Sequence, residues 1–147
     1  MHKDILRRLL ESVPPDSGME LPPKISVDMQ CEFIEFIEGE KLTARFPNFD
    51  RYMNPFGFMQ GGIIVAAMDN TMSPLSYSVA PPNITSGIEA TFKRPIRNSD
   101  KFIDVIATVA NKSATGISLL ATVLNSKGKV SASGISKCVF LTNRVRI

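Results

Sequence analysis

The feature that most constrains the fold is one long stretch that is apolar on nearly every side. Residues 63–68 are all apolar, and the only charge within residues 52–88 is Asp69. The stretch lacks the alternation of a strand, so it predicts a buried central helix. We expect Pro74 to bend or end this helix, because an interior proline lacks an N–H donor and clashes with the preceding turn.

Alternating apolar and polar residues flank this helix and predict strands. The alternation begins at Ile25 and predicts a half-buried strand through Phe33. Its phase breaks within residues 34–37, which indicates a bulge or a second covered face, and a turn follows at residues 38–40. Residues 3–13 predict a short amphipathic helix. The other predicted strands span residues 41–46, 84–94, 102–109, 117–124 and 130–141.

These elements predict an α+β domain in which five or six antiparallel strands curl around one long helix. Such a sheet buries the apolar faces of both elements at once. We expect residues 1–24 to form an N-terminal helix and linker, and residues 25–147 to form the sheet-and-helix domain.

Composition excludes several classes of function. Lys and Arg number 17 against 14 Asp and Glu, and no run of five or six like charges occurs, so we expect no nucleic-acid partner. Cys31 and Cys138 are too isolated to form a redox pair or a zinc site. The single histidine, His2, is terminal, which argues against histidine-dependent catalysis. Catalysis would then use carboxylate, amide, hydroxyl or backbone groups, without a metal or redox cofactor.

No segment of the sequence predicts insertion into a membrane. The longest apolar run, Gly61–Met68, has eight residues, whereas roughly 20 are needed to span a bilayer. The N-terminus also lacks the apolar core of a signal peptide. We therefore expect a cytoplasmic protein.

Two features of the central helix could carry chemistry. A carboxylate such as Asp69 in an apolar helix is costly unless it is paired, hydrogen-bonded or open to a cavity, and such carboxylates cluster at active sites. Gly61 and Gly62 stand where the first N–H groups of the helix lack internal partners and could stabilise an oxyanion. The alternatives are a solvated helix end for Asp69 and a tight turn for the glycines.

In combination, these residues resemble a known signature. Asn54, Gly57, Gln60-Gly61-Gly62 and Asp69 are similar to the Asn-x-x-Gly, His-Gly-Gly and Asp pattern of the hot-dog-fold acyl-CoA thioesterases of the phenylacetate-type (PaaI-like) family. Gln60 stands in place of the histidine. The segment from Thr85 to Pro95 is similar to the family's strand after the helix. The resemblance covers about residues 25–142 and implies a hot-dog fold and an acyl-CoA substrate.

The resemblance also implies catalytic roles. Asp69 would act as nucleophile or as general base on water, and the Gly61 N–H would bind the thioester carbonyl. Asn54 would help to hold the carbonyl or the water, and the Thr85 hydroxyl would orient the water. Hot-dog dehydratases use a histidine paired with an acid, so this chain does not fit them.

Further residues are candidates for substrate binding. Gln60 and Gly62 flank the oxyanion position. Lys93, Arg94 and Arg97 would bind the phosphates of CoA or form a solvated strand end. An acyl pocket or ordinary core would include Met53, Phe56, Phe58, Met59, Met68 and Met72.

Helix geometry predicts a shared site. Gly61 and Asp69 lie eight residues apart, which separates them by roughly 12 Å along one helix. One carbonyl cannot touch both on one chain, so we expect an isologous homodimer, or a tetramer built as a dimer of dimers. The resemblance implies Asn54 and Gly61 from one chain with Asp69 and Thr85 from the other. A non-catalytic hot-dog module that binds an acyl or other apolar ligand is the alternative, because Gln60 replaces the histidine.

Overall fold

The computed structural model describes residues 3–141, so His2 and the predicted end of the domain at residue 147 lie outside the described residues. The helices are α1 (Lys3–Ser12), α2 (Lys24–Asp28) and α3 (Gly61–Val79), with a short 3-10 helix at Asp50–Tyr52. The strands are β1 (Glu32–Ile37), β2 (Lys41–Pro47), β3 (Asn83–Phe92), β4 (Phe102–Lys112), β5 (Gly116–Asn125) and β6 (Val130–Phe140).

The six strands form one antiparallel sheet in the order β1-β2-β4-β5-β6-β3. The sheet curves around α3, which packs on β2, β3, β4, β5 and β6. This arrangement confirms the predicted α+β hot-dog fold, with six strands in the part of the chain that the structure describes. In the described part of the chain, no helix is both long and apolar enough to cross a membrane.

The central strands show why alternating apolar and polar residues predicted strands correctly. In β4 the side chains of Ile103, Val105 and Ala107 are buried, while their neighbours in sequence are more exposed. The predicted bulge in β1 is confirmed, because the β1–β2 register shifts between Phe33 and Glu35. Helix α3 covers one face of β2, β3, β4, β5 and β6, and this burial fixes the register of those strands.

The predicted strand that begins at Ile25 is wrong over its first half. Residues 24–28 form α2, in which Ile25 and Val27 are 51% and 56% exposed. Pro23 precedes the first turn with a φ of −59°, a conformation that suits a helix start. The buried Ser26 hydroxyl then donates to Asn70 Oδ1 of α3 at 2.8 Å, so a tertiary hydrogen bond replaces the strand pairing that the pattern predicted.

Pro74 does not end the central helix, which continues to Val79. The second half of α3 is held by packing, since Leu75 and Ser76 are fully buried. The Ser76 hydroxyl also lies 2.9 Å from Asn83 Oδ1 at the start of β3. Tertiary contacts of this kind offset the hydrogen bond that the proline cannot donate.

Glycines allow two close approaches within this core. A Cβ at Gly134 of β6 would lie 2.8 Å from the sulfur of Met68, so α3 sits close to the sheet there. A Cβ at Gly116 of β5 would overlap the backbone carbonyl oxygen of Cys138 on the neighbouring strand. The second contact is with backbone, which cannot move aside without disturbing the β5–β6 pairing.

Gly116→Ala should therefore lower the free energy of unfolding by about 1–3 kcal/mol, because the methyl group overfills a packed site. Gly87→Ala in β3 is the matched control, since a Cβ there meets nothing within 4 Å. It should leave the stability unchanged or raise it by up to about 1 kcal/mol. Urea denaturation of both variants checks this, and equal stability of the two would contradict the packing argument.

Candidate active site

Helix α3 begins with a side-chain cap that the sequence did not predict. Gln60 Oε1 accepts the N–H of Ile63 at 3.1 Å, and the Gln60 N–H donates to the carbonyl of Tyr52 at 2.8 Å. Among residues 3–141, the N–H groups of Gly61 and Gly62 donate to no hydrogen-bond acceptor. These two donors, with the positive end of the helix dipole, form a position suited to an oxyanion.

Both glycines are closely bounded by neighbouring side chains. A Cβ at Gly61 would lie 3.2 Å from the ring of Phe92, and a Cβ at Gly62 would lie 2.8 Å from Gln60 Oε1. Glycine at both positions therefore allows close packing around the helix start and leaves the backbone there accessible. The close contacts support the packing interpretation of the Gly-Gly pair, and the oxyanion role stays a prediction.

Asn54 organises the loop that leads to this helix. Its Oδ1 accepts the N–H groups of Phe56 and Phe58 at 2.9 and 3.1 Å, and Gly57 completes the turn with a φ of +77°. Its side-chain Nδ2 donates to no group within residues 3–141. The amide therefore shapes the loop with its oxygen, and its side-chain N–H groups have no acceptor among the described residues.

A cleft of ≈ 390 Å³ lies at this end of α3. Several residues that the sequence singled out meet there, although they come from separate segments. The cleft is lined by Asn54, Phe58, Met59, Gly61, Ile64, Phe92, Lys93, Arg94, Pro95 and Ile96. The walls of the cleft are thus mostly apolar. The cations Lys93 and Arg94 also line it, as do Asn54 and Gly61, which carry free N–H donors.

The proposed acyl-pocket residues separate into different environments. Phe58 and Met59 line the cleft, whereas Phe56 is 83% exposed. Met68 and Met72 are fully buried in the core of this chain and do not line the cleft. For these two methionines the structure favours the core alternative.

Asp69 lies in a second polar cluster, two helical turns further along α3. Its Oδ1 accepts the hydroxyl of Thr85 at 3.0 Å and the hydroxyl of Ser73 at 3.2 Å. No donor of the described residues contacts Oδ2. The structure therefore brings Asp69 and Thr85 together, and it leaves one carboxylate oxygen open.

The sequence alone did not single out the other members of this cluster. Ser73 and Tyr77 follow Asp69 at helical spacing on the same face, which is the signal that could have revealed them. Burial raises the pKa of the Tyr77 phenol; a hydrogen bond with Ser73 opposes the increase, and the Asp69 charge adds to it. Behind Thr85, the Cys138 sulfur lies 3.9 Å from the Thr85 hydroxyl.

The structure does not bring the two clusters together on one chain. Asp69 and Thr85 do not line the cleft that holds Asn54 and Gly61. Eight residues of helix separate Gly61 from Asp69, a rise of roughly 12 Å. The two clusters therefore lie at separate places on one chain.

The predicted phosphate-binding cations also differ in position. Lys93 and Arg94 line the cleft, whereas Arg97 lies beyond it, with its guanidinium 5.5 Å from the centre of the Phe58 ring. In the described ranges, no group of three or more His, Cys, Asp or Glu side chains is placed to hold a metal ion.

Comparison with solved structures places this fold among known ones. The E. coli PaaI protein from the phenylacetic acid degradation operon superimposes with a TM-score of 0.80 at 14% identity, covering 93% of this chain and 96% of that chain. Thioesterase HI1161 from Haemophilus influenzae gives a TM-score of 0.72 at 20% identity, covering 82% and 87%. Smu.793 from Streptococcus mutans UA159, bound to acetyl CoA, gives 0.72 at 15%, covering 84% and 94%.

These similarities confirm the resemblance to PaaI-like hot-dog thioesterases at the level of the fold. The sequence itself matches no family model and no curated protein. The activity therefore has to be argued from the site.

Removing the cap of α3 should be measurable. Gln60→Ala should lower the free energy of unfolding by about 1 kcal/mol, because the Ile63 N–H loses its side-chain acceptor. Gln60→Asp keeps an acceptor and adds a negative charge at the helix start, so it should be at least as stable as the wild type. Thermal or urea denaturation checks this, and an equal loss in both variants would show that Gln60 does not act as a cap.

Proposed function

We propose that this protein hydrolyses acyl-CoA thioesters to a free acid and CoA. The observation that carries the proposal is the presence, on one helix, of free N–H donors at Gly61 and Gly62 and a hydroxyl-bonded carboxylate at Asp69. Acetyl CoA in the similar Streptococcus mutans structure and the thioesterase from Haemophilus influenzae support this substrate class. Reduced, buried Cys31 and Cys138 agree with the proposed cytoplasmic location.

The start of α3 would bind the carbonyl. As water adds to a thioester, negative charge develops on the carbonyl oxygen, and N–H donors aimed at that oxygen stabilise it in the transition state. We assign this role to the Gly61 N–H, with Gly62 beside it. The free Nδ2 of Asn54, in the same cleft, would hold the carbonyl or the attacking water.

Asp69 would activate the water. Thr85 and Ser73 hold Oδ1, which leaves Oδ2 to accept a proton from water as the water oxygen attacks the carbonyl carbon. The tetrahedral intermediate then expels the sulfur of CoA as a thiolate, which takes up a proton, and the acid is released. Because a thioester carbonyl is already electrophilic and a thiolate leaves readily, this chemistry needs no metal or redox cofactor.

A second copy of the chain would complete the site. Asp69 and Ser73 on α3 are only half-buried, and the apolar Val65 lies on the same part of the helix. Strand β3 is at the edge of the sheet, so its outer backbone groups are open to pairing. A homodimer with antiparallel central helices would place Asp69 and Thr85 of one copy opposite Asn54 and Gly61 of the other, and two dimers could form a tetramer.

The cations of the cleft would hold the substrate at its other end. Lys93 and Arg94 line the cleft beside the helix start, where the diphosphate of CoA could meet them. Gln60 would act through the helix cap that positions Gly61 and Gly62, beside the bound carbonyl.

Asp69→Asn should lower thioester hydrolysis by at least about 10²-fold without unfolding the protein, because it removes the base while keeping the side-chain volume. Thiol release from a panel of acyl-CoA substrates measures this. Asp16→Asn removes an exposed carboxylate in a loop and should leave turnover unchanged.

Near-normal turnover of the Asp69→Asn variant would contradict the catalytic role. Tight binding of acyl-CoA by a wild type that releases no thiol would instead favour the non-catalytic module.

A further inference from the structure

A second cavity adjoins the cleft and has a different chemical character. It has a volume of ≈ 350 Å³ and shares Arg94 and Pro95 with the cleft. Its remaining lining residues come from the turn before β4 and from the β5–β6 turn. They are Arg97, Ser99, Asp100, Asn125, Lys127 and Lys129.

We name the four cations of this cavity, Arg94, Arg97, Lys127 and Lys129, the basic pocket. All four side chains are exposed. Within residues 3–141, none of them forms an ion pair with a carboxylate. Their charges are therefore available to an anion from solution.

Among residues 3–141, the only carboxylate that lines the cavity is already engaged. Asp100 is 4% exposed. Its Oδ2 accepts the backbone N–H of Arg97 at 3.0 Å, and its Oδ1 accepts the hydroxyl of Ser126 at 3.0 Å. Asp100 thus ties the two turns of the basic pocket together instead of pairing with a cation.

The β5–β6 turn is held in place in the same way. Asn125 is 7% exposed, and its Oδ1 accepts the backbone N–H groups of both Lys127 and Lys129 at 3.0 Å. Gly128 between them has a φ of +73°, which allows the tight turn. Two buried polar side chains therefore fix the backbone that carries the cations, and such preorganisation lowers the entropic cost of binding an anion.

We propose that the basic pocket binds the phosphorylated nucleotide end of CoA and makes the protein selective for CoA thioesters over carrier-protein thioesters. This inference rests on the proposed thioesterase function. A CoA thioester whose carbonyl lies at Gly61 has its pantetheine arm in the cleft, and the adjoining cavity lies next along the shared wall at Arg94. CoA carries a diphosphate and a 3′-phosphate, whereas the arm of a carrier protein has no nucleotide.

The test compares Lys127→Gln/Lys129→Gln with the wild type on three thioesters of the same acyl group, carried by CoA, dephospho-CoA and pantetheine. We expect the wild type to prefer acyl-CoA. The double variant should lose about tenfold in kcat/KM on acyl-CoA, equivalent to about 1.4 kcal/mol, mainly through a higher KM. On the pantetheine thioester the two proteins should agree within about twofold, because that substrate lacks the phosphates.

The matched control is Lys24→Gln/Lys137→Gln, which removes the same charge from exposed lysines outside both cavities. It should behave as the wild type on all three substrates. A loss in the control equal to that in the test variant would overturn the proposal, since it would reflect overall charge. An equal loss on the pantetheine thioester would also overturn the proposal, since that substrate lacks the phosphates.

Calorimetric titration with CoA separates this proposal from the thioesterase function. If the wild type hydrolyses none of the three thioesters but binds CoA, and Lys127→Gln/Lys129→Gln weakens that binding about tenfold, the pocket stands and the catalytic proposal fails. If the wild type hydrolyses all three substrates equally and CoA binds no better than pantetheine, the pocket is wrong and the catalytic proposal stands.

Discussion

Burial of α3 against the curved sheet is the constraint on which the rest of the structure depends. Ala67, Met68 and Leu75 are fully buried, and each large aliphatic side chain placed in such a core contributes roughly 1.5–3 kcal/mol. The same helix presents the free N–H groups of its first turn at one place and Asp69 two turns later. The core packing therefore also fixes the distance between the two halves of the proposed site.

The sequence predicted the fold wherever burial on one face controlled the pattern. In β4 and β5 the alternation follows the face that α3 covers, so the strands could be recognised without a tertiary model. The strand prediction failed at α2, because the alternating apolar residues there, Ile25 and Val27, are exposed. A contact between Ser26 and Asn70, 44 residues apart, decides that structure, and no local window contains both partners.

For the site, the sequence and the family resemblance together identified Asp69 and Thr85, which the structure places in hydrogen-bond contact. They could not identify the Gln60 cap, because glutamine is not a preferred capping residue. They also missed the hydrogen bond from Ser126 to Asp100, which joins two turns through a buried carboxylate. Such polar contacts depend on where loops meet, and loop positions follow from the assembled core.

The claim that two chains share each site is tested most directly by complementation. Asn54→Ala protein is mixed with Asp69→Asn protein, each inactive alone, and subunit exchange is verified by native mass spectrometry. A shared site predicts one doubly damaged and one intact site in every mixed dimer, and hence recovery of up to about half of the wild-type activity per mixed dimer. No recovery after verified exchange would contradict it, because sites confined to one chain would each keep a lesion.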